Sequence, residues 1–257
     1  MTTIRTATSD PTSRQRERLH FDQLAETCGD SWWGHGYPAG MRRLDRKAAL
    51  LCRRLAAWAN PRVLEIGCGA GIFTKAILDV RPDLAVTGVD ISPKSVRIAQ
   101  QRCVGFANLR LRTGDVFGLD EAAESYHAVI GNSILHHIDV DQFLPRAIEL
   151  LQPGGLLWFS EPNMMNPQVA MERNLRPVGR RLQNSEDETA FFRWGLRRRI
   201  QSAGFVRCEV KPFDFLHPLV PRFAIGVVER LGRSLERTPV LREIAGSLCV
   251  VGYKPDA

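Results

Sequence analysis

The stretch Arg62-Val63-Leu64-Glu65-Ile66-Gly67-Cys68-Gly69-Ala70-Gly71-Ile72-Phe73 limits the fold of this chain more than any other. Val63 to Ile66 are mostly apolar and β-prone, so they read as a short buried strand. Glycines follow at 67, 69 and 71, and then an apolar segment at helical spacing, Ile72-Phe73 and Ala76-Ile77. Glycine reaches positive φ and lets a ligand approach the backbone, while the first N–H groups of a helix leave a positive dipole end. A strand, a glycine turn and a helix together make a cradle for a ligand.

Strand and helix then alternate. Ala85 to Asp90 is a β-rich run ending in a carboxylate, and Ser92-Pro93 starts a helix with Ser at the cap and Pro at its first position. Leu109 to Arg112, Ala128 to Gly131 and Leu156 to Ser160 read as further strands. A helix from Asp139 to Leu151 is expected to stop at Gln152-Pro153-Gly154-Gly155. Thr189 to Ala203 reads as helix, Phe205 to Val210 as a sixth strand and Ser247 to Tyr253 as a final one. Strands separated by helices imply a doubly wound α/β fold, a mostly parallel sheet with helices on both faces, which binds ligands at the carboxyl ends of its strands.

Around this frame lie less regular segments. Residues up to Thr12 are polar and expected to be disordered, and Arg14 to Thr27 reads as a short amphipathic helix. Cys28 to Pro38 is an aromatic loop with Trp32, Trp33, His35 and Tyr37, either a lid over a substrate or a pin for the N-terminal segment. Met41 to Ala59 carries Leu44, Ala48, Leu51, Leu55 and Trp58 at helical steps. The division expected is an N-terminal tail and helical cap over 1–59 and a main domain over 60–257, with insertions at about 164–186 and 213–246. The second insertion holds a stripe of Phe223, Val227, Val228, Leu231 and Leu235 beside Arg230, Arg233 and Arg237. Packing on the sheet is the expectation for that stripe, with a membrane surface or a lipid-like substrate as the alternative.

No run approaches the eighteen or so apolar residues of a membrane span, and Met1 to Arg18 has no signal-peptide core, so a cytoplasmic protein is expected. The six cysteines are scattered without a C-x-x-C pair, and no metal site is indicated. The formal charge is +7, carried mainly by arginine. Clusters at Arg42-Arg43-Arg46, Arg173-Arg176-Arg180-Arg181 and Arg193-Arg197-Arg198-Arg199 are either solvated helix faces or a surface for an anionic partner.

A dinucleotide cradle wants G-x-G-x-x-G; here the spacing is G-x-G-x-G, with Ile72 where the third glycine would stand. Glu65 places a carboxylate beside the loop, which repels a pyrophosphate and attracts an amine. Asp90 can accept from two ribose hydroxyls and Asp115 from an exocyclic adenine amine. The implied ligand has an amino acid end, a ribose and an adenine, and no phosphate.

The segments Leu64 to Gly71, Gly88 to Ser92, Gly114 to Val116, Ile130 to His137 and Leu151 to Gly155 resemble the ordered motifs of class I S-adenosylmethionine-dependent methyltransferases. The resemblance covers about residues 61–161 and, more loosely, the final strand pair. It implies a Rossmann-like seven-stranded sheet with an antiparallel last strand, and S-adenosyl-L-methionine as cofactor. It implies that Gly67 and its neighbours line the methionine part, Asp90 the ribose, and Asp115 with Val116 the adenine, with Glu65, Cys68, Gly69, Gly71 and Ile91 also among the cofactor-binding residues. Asn132 would face the transferred methyl. A [DNS]-P-P-[YFW] tetrad, typical of amino-methylating nucleic-acid enzymes, is absent after the fourth strand, where Gly131-Asn132-Ser133-Ile134 stands. Ile134-Leu135-His136-His137 is closer to enzymes acting on small molecules such as quinones, sugars, natural products or lipid intermediates. A small-molecule acceptor is therefore expected and nucleic acid disfavoured. The alternatives are an RNA- or protein-directed enzyme and a non-catalytic cofactor-binding protein. Candidate general bases are His137, His136 and His35, histidine having the best-placed pKa; Glu161 is expected to orient substrate or cap a turn.

Overall fold

The computed structural model describes residues 11–27, 34–174 and 190–256. The polar stretch before residue 11, Cys28, the Trp32-Trp33 pair and the cluster Arg176, Arg180 and Arg181 lie outside the described residues. Seven strands form one sheet: β1 Arg62–Ile66, β2 Ala85–Asp90, β3 Leu109–Thr113, β4 Tyr126–Asn132, β5 Leu151–Pro162, β6 Val206–Phe213 and β7 Ser247–Tyr253. Their order is β3-β2-β1-β4-β5-β7-β6. β1 to β5 pair in parallel, and β7 runs antiparallel between β5 and β6, as the Rossmann-like expectation requires. The chain leaves β1 toward β2 and returns to β4 on the opposite side, so a crevice opens where the order reverses.

The helices are α1 Pro11–Thr27, α2 Pro38–Arg54, α3 Ile72–Val80, α4 Pro93–Arg102, α5 Val140–Leu150, α6 Pro167–Asn174, α7 Arg193–Ser202 and α8 Ile225–Arg237. One apolar cluster joins Leu64, Ile66, Val129, Leu157 and Phe159 to Phe143 and Ala147 of α5 and Ile200 of α7. The other joins Val63, Ala128, Ile130, Leu156 and Trp158 to Leu44 and Leu51 of α2 and Phe73 and Ile77 of α3. Alternate residues of each strand supply the two clusters, because successive strand side chains point to opposite faces. Phe73 stacks on the buried Trp158 at 5.8 Å. Ser92 caps α4 by accepting from Ser95 N–H, with Pro93 at the first helical position, as read from the sequence.

Two expectations are corrected. Gln152 to Gly155 do not stop the chain between helix and strand: α5 ends at Leu150 and β5 begins at Leu151, which pairs with Tyr126. A register shift between Tyr126 and Ala128 accommodates the proline and glycines within the strand. The second correction concerns the apolar stripe: Val228 and Leu235 are half-buried, but its other members stand out to solvent. Phe223, Val227 and Leu231 are 88%, 52% and 61% exposed, and of α8 only Gly232 is buried. That helix is anchored by its polar face instead. Glu236 takes both guanidinium N–H groups of Arg46 (2.8 and 2.6 Å), and Glu229 accepts from Arg42 Nε (2.9 Å). The Arg42-Arg43-Arg46 cluster is thus spent on intramolecular ion pairs, Arg43 binding Asp214 at 2.6 Å.

The glycine turn is fixed by backbone geometry. Gly67, Gly69 and Gly71 have φ of 67°, 51° and 76°. At Gly71 a Cβ would also lie 2.9 Å from the Ala99 Cα and Cβ of α4. Gly71→Ala is expected to destabilise the fold by about 1–3 kcal/mol through left-handed strain and contact with α4. Denaturant titration measures this, and an unchanged midpoint would contradict the account.

Candidate functional site

The polar side chains at the strand ends follow from the same alternation. On β4, Asn132 shares the parity of Ala128 and Ile130 and meets α2, where its Oδ1 accepts from Lys47 Nζ at 2.9 Å. On β5, Glu161 shares the parity of Leu157 and Phe159 and turns to the other face. One of its oxygens accepts from the N–H groups of Ile134 and Leu135, both at 3.0 Å, and the other lies 2.7 Å from His136 Nδ1. This single buried carboxylate holds the turn that follows β4. Ser133 enters that turn at φ 59°, a conformation uncommon outside glycine, which marks a strained point at the crevice.

A cavity of about 610 Å³ opens at the strand ends. One part of its wall is Gly67, Cys68, Gly69, Asp90, Ile91, Asp115 and Val116; another is His35, Arg43, Lys47, Asp214 and His217; Asn132 lies on the same wall. Asp90 accepts from Gly69 N–H (2.8 Å) and Ser92 N–H (2.9 Å), one bond on each oxygen. A carboxylate offers about four acceptor positions, so two backbone bonds leave capacity for a diol. Burial raises the Asp90 pKa, opposed by these two bonds. Gly69 has positive φ and nothing within 4 Å of where its Cβ would stand, so bare backbone faces the cavity. Asp115 accepts from Phe117 N–H at 3.0 Å and from Arg14 at 2.6 Å. The donor set fits the phosphate-free nucleoside inferred from the sequence.

The first helix covers this half of the cavity. Arg14 binds Asp115, Glu17 lies 3.2 Å from His137 Nδ1, and Phe21 meets the His137 ring edge-on at 5.2 Å. Asp22 accepts from Ser92 Oγ at 2.6 Å, and Glu26 pairs with Lys94. Charged residues of this helix thereby bind the start of α4 and the strand ends.

His35, His136 and His137 all reach the cavity wall, and the last two rings are 4.1 Å apart. Gly71 and Glu65 are not on that wall. Gly71 backs onto α4, and Glu65, which shares the parity of Val63, accepts from Thr74 Oγ1 at 2.7 Å beneath α3. Burial pushes the Glu65 carboxyl up to about 7. Sequence reasoning passed over Lys47, although its position gave a signal: it falls between Leu44 and Ala48 on the buried face of α2. Burial lowers its amine to about 8; Arg43 adds to the shift, while Asp214, Glu161 and Cys249 oppose it. Asp214, itself at φ 73°, and His217 were also missed, lying in a segment read only as insertion. Among the described residues no cluster of three or more His, Cys, Asp or Glu side chains is placed to hold a metal.

Residues 64–157 match the family model of a methyltransferase domain. Over 115 residues the chain is 37% identical to the demethylmenaquinone methyltransferase of Tropheryma whipplei, covering 44% of this chain and 45% of that one. Over 104 residues it is 33% identical to a ubiquinone biosynthesis O-methyltransferase of Sinorhizobium fredii, covering 40% and 41%. The matched region is thus less than half of each of these relatives. In fold the chain is similar to an S-adenosylmethionine-dependent methyltransferase of Thermotoga maritima. The TM-score is 0.66 at 17% identity, over 92% of this chain and 99% of that one.

The buried Glu65 has a consequence for stability. Its folded pKa lies above the unfolded value, so the folded form holds the proton more tightly, and stability falls as pH rises from about 4.5 to about 7. Glu65→Gln keeps an acceptor for Thr74 and removes the buried charge. Its advantage in thermal unfolding is expected to be small at pH 4.5 and to grow to about 3 kcal/mol by pH 8. A variant less stable than the parent at pH 8 would contradict this.

Proposed function

We propose, from the premise that residues 64–157 form a class I S-adenosylmethionine-dependent methyltransferase domain, that this chain transfers a methyl group to a small organic acceptor. The observation that carries the reading is a single cavity running from Asp90 and Asp115 past Asn132 to Lys47, His35 and His217. Its volume of about 610 Å³ lies within the range of small-molecule sites, roughly 300–1,000 Å³. The similarity to quinone-pathway methyltransferases supports the same class of acceptor.

S-adenosylmethionine, when bound, supplies a methyl group already activated by a sulfonium. The backbone of Gly67, Cys68 and Gly69 would hold its methionine part, and the open acceptor positions of Asp90 its ribose, beside Ile91. Val116 would flank the adenine and Asp115 accept from its amine. Gly71 and Glu65 support the turn from behind the wall. The work of the remaining residues is alignment and exclusion of water, and positioning of this kind is worth roughly 7–11 kcal/mol. Arg14, Glu17, Phe21 and Leu24 of α1, all on the cavity wall, close the cleft against solvent.

For a hydroxyl acceptor, Lys47 takes the proton. It sits beside Asn132, and an amine titrating at about 8 is partly neutral at physiological pH. The acceptor's O–H proton would pass to the neutral Nζ as its oxygen bonded to the methyl carbon, and the carbon–sulfur bond would break to release S-adenosylhomocysteine. Glu161 fixes His136, which positions the turn after β4, and Glu17 ties His137 to α1; His35 lines the acceptor side.

Calorimetry is expected to find S-adenosylhomocysteine binding at micromolar concentration; no binding well above that range would sink the methyl-transfer reading. With labelled donor and a panel of phenols and quinols, Lys47→Met is expected to lower kcat by about 10²–10⁴-fold and to keep product-cofactor affinity. The parent rate should rise with pH through about 8, as the ammonium loses its proton. A Lys47→Met variant that keeps this rise would exclude the proton-acceptor role.

A further inference from the structure

The outward face of α8 carries an exposed apolar stripe. Phe223, just before the helix, and Val227 and Leu231 within it stand at four-residue steps, each more than half exposed. At about 100° per residue, Arg230, Arg233 and Arg237 follow along one edge of this stripe. The helix's two carboxylates are turned the other way. The Glu229 and Glu236 side chains are only 14% and 15% exposed and are held by Arg42 and Arg46 of α2. The outward face therefore offers apolar side chains flanked by Arg230 and Arg237, while Arg233 also reaches Glu229 at 3.8 Å.

We propose that this face docks on an anionic lipid bilayer, with Phe223, Val227 and Leu231 entering the headgroup boundary and the arginines meeting lipid phosphates. An interfacial helix combines this pattern, an apolar stripe and a basic flank. A second copy of the chain is a poorer occupant, because a two-fold contact would set one arginine row beside another. The chain leads from the cavity to this face: Leu219, 64% exposed, lies on the cavity wall four residues before Phe223. Docking would bring the cavity mouth to the membrane, so an acceptor with an acyl or isoprenoid tail can enter from the lipid phase. This last step rests on the methyl-transfer reading; the docking itself does not.

The test is co-sedimentation of the full chain with phosphatidylcholine vesicles, with and without phosphatidylglycerol. Binding is expected only with the anionic lipid and should weaken with salt. The double variant Phe223→Ser, Leu231→Ser should bind at least about tenfold more weakly, and each of Arg230→Gln and Arg237→Gln about fivefold. Thermal unfolding and S-adenosylhomocysteine affinity should stay at parent values in these variants, which leave the Arg42 and Arg46 anchors untouched. Failure of the parent to bind anionic vesicles, or binding that survives the double variant, would overturn the proposal. So would a parent dimer in sedimentation velocity that the same double variant dissociates. Loss of cofactor binding in the parent would bear on the methyl-transfer reading alone.

Discussion

The cavity depends on a backbone constraint: after β1 the chain turns through left-handed φ at Gly67, Gly69 and Gly71 before α3 begins. Gly71 must be bare because α4 lies against it, and Gly69 can be bare because nothing stands there. The turn also brings Gly69 N–H onto Asp90, joining the ends of β1 and β2. The crevice between β1 and β4 is what remains open once these contacts are made. Its floor is then set by Glu161, whose oxygens hold Ile134, Leu135 and His136 in the turn after β4.

Glu161, Glu65 and Lys47 are buried ionisable groups near the strand ends, and each is handled differently. Glu161 is satisfied by two backbone donors and a histidine. Glu65 has Thr74, and burial outweighs that bond, raising its pKa to about 7. Lys47 has an amide oxygen as its near partner and relaxes toward the neutral amine. Burying charge without an ionic partner costs stability, so residues of this kind are more readily understood as parts of a site than of a core.

The sheet was legible in the sequence because most of its strands carry apolar runs and turn residues part them from the helices. Ser92-Pro93 shows this, capping the helix it precedes. The wall around Asp90 and Asp115 was legible because carboxylates fall directly after strands. Glu65 shows the limit: its place beside the glycines was plain, but the two-residue period turns it under α3, away from the cavity. Lys47 was hidden by its own helix pattern, and Asp214 and His217 precede the periodic part of the second insertion, where nothing in the pattern singled them out. The α8 stripe was visible as an apolar face, and only tertiary structure shows that the polar face is the one that packs.

The measurement that bears most directly on the central claim is a structure of this chain with S-adenosylhomocysteine bound. The ribose is expected on Asp90, the adenine against Val116 with its amine at Asp115 in competition with Arg14, and the sulfur directed toward Asn132 and Lys47. A ligand seated elsewhere, or a sulfur facing away from Asn132 into a closed wall, would contradict it.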